Sequence, residues 1–255
     1  MPITQSSTEN AFKRFFFSEQ YIALKNHLFN YRMRKRMIRL AFQDLFGVGP
    51  FPKSFTVADI GSGVSPVSPL LSHTTFIELE PEAIKYLKRK KMKVIRGDIT
   101  RLQLKSNTFD AIVCSEVLEH VKNYPAGLRE MARILKPEGA VIITVPTHMH
   151  HWHDDDAFVG HFRRFDPSEL QKTIEQSGLS VLSHIPIGSR IERWLTVAMI
   201  WFARTSEVQT TSQWTGIKLT LYKCANHLLL GIIWLAQRVT TQQGSSISLF
   251  VAQKN

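Results

Sequence analysis

From Phe55 onward the chain alternates between two rhythms. Short, nearly unbroken apolar runs read as strands: FTVADI, TTFIEL (74–79), MKVIRGD, FDAIVCSEV and GAVIITVP. Between them lie segments whose apolar residues recur at three- and four-residue spacing, PEAIKYLKRKK and YPAGLREMARILKP, which read as helices. Pro81 suits the first turn of the former. Strands that alternate with helices predict a parallel sheet covered on both faces, and continuous apolar strands fit that burial. Further on, DPSELQKTIEQSG predicts a helix with Asp166 as N-cap, Pro167 as its first residue, Glu169 completing a capping box and Gly178 ending it. LSVLSHIPI (179–187) and SISLFVAQK (246–254) predict the sixth and last strands. Ahead of Phe55, residues 8–47 read as helical, with Met33, Met37, Leu40, Ala41 and Phe42 in helical register, until Gly47, Gly49, Pro50 and Pro52 break the pattern.

The pattern therefore predicts an α/β fold of about seven strands. A helical N-terminal cap covers residues 1–53, and one domain covers 54–255. A stretch of roughly sixty residues between the last two strands, about 188–245, is long for a connection and predicts a helical insertion. It holds two apolar segments, WLTVAMIWFA (194–203) and HLLLGIIWLA (227–236). Neither reaches the ~18–20 apolar residues needed to span a bilayer. Three readings fit them: core helices of a subdomain, an oligomer contact, or helices lying in a membrane interface.

Composition narrows the classes. Two cysteines, Cys114 and Cys224, make neither a disulfide framework nor a zinc pattern, which favours a reducing compartment. No apolar core follows a basic start at the N-terminus, so no secretory signal is expected. These features predict a cytoplasmic protein. The formal net charge is +11. Residues 1–58 carry nine Lys/Arg against three Asp/Glu, 59–146 thirteen against ten, and 147–255 ten against eight. The excess gathers in RMRKRMIR (32–39), which is either a solvated helix face or a patch for phosphates of lipid headgroups or nucleic acid.

The chemistry concentrates in VADIGSGVSP (57–66). A strand ends, Asp59 follows, and Gly61 and Gly63 allow a tight turn with ligand lying on bare backbone. A dinucleotide fingerprint would carry three glycines, and its pyrophosphate would be repelled by the acid. A ligand with an ammonium and a sulfonium would not. ADIGSG, FIELEPEAI, RGDIT, FDAIVCSEVLEHV and REMARILKPEGAVIITVP, in this order, resemble the motifs of class I S-adenosylmethionine-dependent methyltransferases, specifically the small-molecule methyltransferase-domain group. The resemblance covers about residues 54–185 and the final strand. Ser65 stands where that family usually has a third glycine.

The resemblance implies a Rossmann-like, seven-stranded, mostly parallel sheet whose last strand is antiparallel and lies beside the sixth. It implies S-adenosyl-L-methionine as cofactor. Asp59, Gly61, Ser62 and Gly63 then form the first motif. Glu78, with Leu79 beside it and Glu80 as the fallback, holds the ribose. Asp98 accepts from the adenine amine and Ile99 offers apolar contact. Ser115 and Glu116 close the fourth strand at the ligand-binding edge. An ionised carboxylate suits two vicinal hydroxyls as a double acceptor. His120 reads as a packed or capping histidine rather than a catalyst.

THMHHWHDDDAFVGHFRRF (147–165) holds five of the ten histidines and starts where the fifth strand ends. Three readings compete. In the first it is an acceptor-side loop in which His148, His150, His151, His153 or His161 orients or deprotonates the substrate. In the second, two histidines and an aspartate hold a metal, although 148, 150, 151 and 153 lack helix-face spacing. In the third it is a polar surface loop. GHFRRFDPSEL resembles a family element, which favours His161 and Arg164, with His151, for the acceptor site and no metal.

The sequence thus predicts transfer of a methyl group from S-adenosylmethionine to a small-molecule or lipid-like acceptor, with peripheral membrane contact compatible with the basic front. A non-catalytic binding protein on the same fold is one rival. A nucleic-acid methyltransferase using RMRKRMIR is another, disfavoured because no nucleic-acid module or interleaved stacking aromatics are present.

Overall fold

The apolar runs assemble into one seven-stranded sheet, seen in a computed structural model that describes residues 22, 25–187, 220, 224–225, 227–228, 231 and 245–255. The strands are β1 (Val57–Ile60), β2 (Thr74–Glu78), β3 (Val94–Arg96), β4 (Phe109–Ser115), β5 (Leu135–Pro146), β6 (Leu179–Ile187) and β7 (Ile247–Lys254). Their order is β3-β2-β1-β4-β5-β7-β6. The first five pair in parallel, and β7 runs antiparallel between β5 and β6. This is the Rossmann-like, mostly parallel arrangement expected from the sequence. Strand order reverses between β1 and β4, the place where open α/β sheets bind ligands.

Alternation along the strands builds two cores. Ala58, Ile60, Ile112, Cys114, Val141, Ile143, Phe250 and Ala252 face α3 (Tyr124–Ile134) and α5 (Pro167–Gln176), meeting Leu128, Met131, Leu170 and Ile174. Val57, Ala111, Val113, Ile142, Leu249 and Val251 face α1 (Phe29–Phe46), meeting Phe29, Met33, Ile38 and Phe42. Burial on both faces is why the strands read as unbroken apolar runs. The remaining helices are α2 (Pro81–Arg89), with Pro81 at its start, and α4 (Asp154–Val159).

The described helix bounds follow the sequence reading except at the end of α3. The front helix is described from Phe29 to Phe46, within the 8–47 expected; residues 8–21 lie outside the described residues. Because α1 shares a core with the sheet, residue 53 does not divide two cores. The helix expected to reach Pro137 stops at Ile134, and β5 starts at Leu135. Pro137 disfavours helical backbone at Lys136, and Leu135 pairs with Phe109 of β4. At Asp166 the side chain accepts the amides of Ser168 and Glu169, as an N-cap does. The 188–245 insertion lies outside the described residues except for isolated positions. Among the described residues no helix is long and apolar enough to cross a membrane.

Candidate functional site at the carboxyl edge of the sheet

The turn after β1 is built by glycine. Gly61 has φ +67°, and its N–H donates to the Ile77 carbonyl at 2.8 Å. A Cβ there would sit 2.6 Å from Val117 Cγ2, so the turn and the residue after β4 touch. Gly63, at φ +57°, donates its N–H to Glu78 Oε2 at 2.8 Å. Glu78 Oε1 accepts the amides of Leu79 and Glu80. The Glu78 carboxylate is therefore locked across the mouth of the glycine turn, which selects it over Glu80. Beside it Leu79 is 52% exposed at a strand end where an apolar side chain gains nothing from water. Ser62 and Ser65 bury hydroxyls that have no hydrogen-bond partner.

Asp59 lies on the α1 side of the sheet and is 0% exposed. Its Oδ2 accepts the Ser68 amide at 3.0 Å, while Oδ1 has no partner. Burial pushes its carboxyl up to about 7 against the opposing bond from the Ser68 amide. Asp59 thus sits behind the bend rather than on its open side, a correction to its expected direct role. Tyr31 of α1 donates to the Pro66 carbonyl at 3.0 Å, pinning the loop from the same side.

At the end of β3, Asp98 is exposed, and its Oδ1 accepts both the amide and the hydroxyl of Thr100 at 2.8 Å. That leaves its second oxygen for a ligand amine. Ile99 is buried against Gly127 of α3, so its side chain serves the core more than an adenine face. Ser115 shares a hydrogen bond with Thr144 of β5 at 2.8 Å. Glu116 takes φ +56°, a left-handed backbone costly for a residue with a Cβ, and donates its N–H to the Thr144 carbonyl. Its Oε2 is 3.3 Å from Arg34 of α1. Sequence pattern treated Arg34 as one of a basic run; only the fold shows it turned inward onto the site.

The histidine run is folded rather than loose. A bridge ties Thr147 to Phe165, His148 takes φ +62°, residues Met149–His151 make a single turn, and α4 follows. The histidines divide into two groups. The His148, His150 and His151 rings pack together, with centroids 4.1 Å apart for the last pair. His161 belongs elsewhere: its ring meets that of His120 at 4.7 Å, its Nδ1 lies 2.8 Å from Asp156 Oδ1, and its Nε2 lies 3.7 Å from Glu119 Oε1. The structure therefore separates His151 from His161.

Arg164 is buried and fully engaged. Its Nε donates to Asp156 Oδ2 at 2.9 Å, and its Nη1 reaches the carbonyls of Thr147 and Ser246. It is an anchor that positions Asp156, not a group presented to an acceptor. Burial works against ionising Asp156, yet the bonds from His161 and Arg164 hold its carboxyl down at about 2. Glu119, adjacent, is 0% exposed with neither oxygen hydrogen-bonded. Burial first, then the neighbouring Glu116, holds it well above the usual carboxylate range. Nothing in SEVLEH signals this burial, since the run reads equally well as a surface turn. His120 contacts the Gly160 carbonyl through Nδ1 at 3.3 Å, in keeping with a capping histidine.

The residues at the edge fit a sulfonium nucleoside. A glycine bend leaves backbone bare, a carboxylate is fixed across it, an apolar side chain is exposed beside it, and Glu78, Asp98 and Glu116 give the edge negative charge. Comparison with known proteins agrees. Residues 58–143 match the family model described as "Methyltransferase domain", which spans β1 to most of β5. An uncharacterized protein of Methanocaldococcus jannaschii is 38% identical over 95 residues, 36% of this chain and 41% of that one. A demethylmenaquinone methyltransferase of Mycolicibacterium gilvum is 43% identical over 49 residues, 19% of this chain and 22% of that one. The chain thus matches less than half the length of these relatives. Among solved structures, Haemonchus contortus phosphoethanolamine N-methyltransferase 2 in complex with S-adenosyl-L-methionine aligns with a TM-score of 0.59 at 14% identity, covering 99% of this chain and 60% of that one. The [4+2]-cyclase SpnF aligns with a TM-score of 0.56 at 14% identity, covering 88% and 82%. At such identity these two show the fold alone.

Proposed function

We propose that this chain, which carries a class I S-adenosylmethionine-dependent methyltransferase domain, transfers a methyl group from S-adenosylmethionine to a small-molecule or lipid-like acceptor. The observation that carries this reading is the Glu78 carboxylate, held by the Gly63, Leu79 and Glu80 amides across the glycine bend. Three amide donors orient it, and its remaining acceptor site suits a ribose hydroxyl. Asp98 takes the adenine amine, and the charge of Glu116 favours the cationic end. When bound, the cofactor supplies a methyl group on a sulfonium, so displacement asks mainly for alignment.

On the acceptor side, Asp156 accepts from Nδ1 of His161, which fixes the ring and leaves Nε2 with a lone pair. That lone pair can take the proton of a hydroxyl or amine acceptor. One relative is named for a small molecule, demethylmenaquinone, which supports this acceptor class. A lipid-like acceptor is favoured by the end of α1. Arg36 and Arg39 are exposed there, with Leu40 42% exposed and Val48 beyond it. Basic and apolar groups together suit a membrane surface, reached by a cytoplasmic protein with peripheral contact.

Calorimetry with S-adenosylmethionine tests the reading. Glu78→Ala is expected to lose about tenfold or more in affinity, as for a charge-assisted acceptor, while its thermal melt confirms a folded chain. Identical isotherms for wild type and variant would remove Glu78 from the site. Release of S-adenosylhomocysteine with a candidate acceptor distinguishes an enzyme from a binding protein on this fold.

A further inference from the structure

We propose that Glu119, His120 and His161 form a binding site for one divalent transition-metal ion of the zinc type. Among the described residues, this is a group whose ligand atoms lie within 4.8 Å of one another. Two ligand atoms bound at about 2.1 Å with tetrahedral geometry lie about 3.4 Å apart. His161 Nε2 and Glu119 Oε1 are already 3.7 Å apart. Small side-chain movements would close the rest.

A second feature also points to an ion. Glu119 is entirely buried, and neither of its oxygens has a hydrogen-bond partner. A buried carboxylate in that state is costly unless something compensates it. A cation between its oxygens and two imidazoles does so. Both histidines carry the outer partners that orient a metal ligand. His161 Nδ1 is held by Asp156 Oδ1 at 2.8 Å, and His120 Nδ1 meets the Gly160 carbonyl at 3.3 Å. Each ring so held has Nε2 on the side away from its outer partner. Asp156 is itself fixed by Arg164.

The charge balance permits the ion. Arg164 is paired with Asp156, and Arg34 with Glu116, so neither cation stands uncompensated beside Glu119. The His120 side is exposed, giving a route from solvent. Three protein ligands leave open positions, the arrangement of a reactive rather than a closed structural site. Its use rests on the methyl-transfer reading. Glu119 lies three residues beyond Glu116 at the ligand edge, so the ion would bind an acceptor oxygen and lower its pKa. The His161 lone pair would then serve the ion rather than act as a base, and the proton released by the coordinated acceptor would pass to water on the exposed His120 side.

The test uses the full chain, stripped with chelator and titrated with cobalt(II) and zinc. One equivalent of cobalt(II) giving a visible ligand-field band, and one equivalent of zinc retained after dialysis, are expected. His120→Ala, whose side chain is exposed and safe for folding, and Glu119→Gln are each expected to weaken binding by about tenfold or more. His150→Ala, in the other histidine group, should leave binding unchanged. Absence of a band and of retained zinc in wild type would overturn the site. So would binding unaffected by both ligand substitutions, or binding abolished by His150→Ala. Calorimetry of S-adenosylmethionine with the metal-free chain reports on the methyltransferase reading separately.

Discussion

Asp59 is a charged residue placed where charge is expensive. Its carboxyl is entirely enclosed, with one oxygen on the Ser68 amide and the other unpartnered, and burial lifts it from 3.8 to about 7. The folded chain then holds this proton more tightly than the unfolded chain does. The linked stability is fully present below pH ~4 and is lost as pH rises to about 7. Lys35 opposes the rise and Glu78 adds to it. Asp59→Asn should therefore raise the unfolding free energy of the ligand-free chain at pH 8, by on the order of a few kcal/mol, and flatten its pH dependence between those limits. Urea titrations of both proteins across that range check this, and parallel curves would refute it. The same residue shows how far a linear sequence reaches. That an acid precedes Gly61 is plain in ADIGSG. That it lies under α1, away from the open edge, depends on which strand face α1 covers. Glu78 was legible because the following Pro-Glu sets its register. The burial of Glu119 and the inward turn of Arg34 were not, because each depends on a contact between segments far apart in the chain.

At the scale of elements, α1 is the instructive case. Its sequence looks like an amphipathic surface helix, with RMRKRMIR supplying the charge. In the fold, Phe29, Met33, Ile38 and Phe42 fill the core on one face of the sheet against Val57, Val113, Ile142, Leu249 and Val251. A chain that begins at residue 54 would expose that apolar sheet face. Each large side chain so uncovered forfeits about 1.5–3 kcal/mol, and the five together are comparable with the whole stability of a typical domain. Residues 54–255 alone are thus expected to lose the cooperative unfolding transition that the full chain shows by circular dichroism. A sharp transition in the truncated chain would mean that the sheet has another cover. Strand identities were legible because both faces are buried and the runs are apolar throughout. The end of α3 was not, because the helical pattern through Leu135 runs on after Pro137 and the pairing with Phe109 have already switched the backbone to a strand.

For the whole molecule, the distribution of charge matters more than its total. The net charge is +11, yet the ligand edge collects Glu78, Asp98 and Glu116, while the basic excess lies in the first 58 residues. A cationic cofactor and an anionic surface would thus be drawn to different parts of one chain. Arg34 is committed to Glu116, so the surface share of RMRKRMIR falls to residues such as Arg36 and Arg39, next to the exposed Leu40. If this end of α1 meets a membrane as proposed, the chain should sediment with vesicles of anionic phospholipid and not with neutral ones, and salt should release it. A basic residue near such a surface contributes about 1 kcal/mol, so replacing Arg36 and Arg39 with Gln should lower partitioning by about thirtyfold. The affinity for S-adenosylmethionine should not change, because neither side chain belongs to the ligand edge. Equal sedimentation with neutral vesicles would shift the weight from charge to the apolar groups at this end. No sedimentation with either kind would leave the acceptor a soluble molecule, reached at the sheet edge from water.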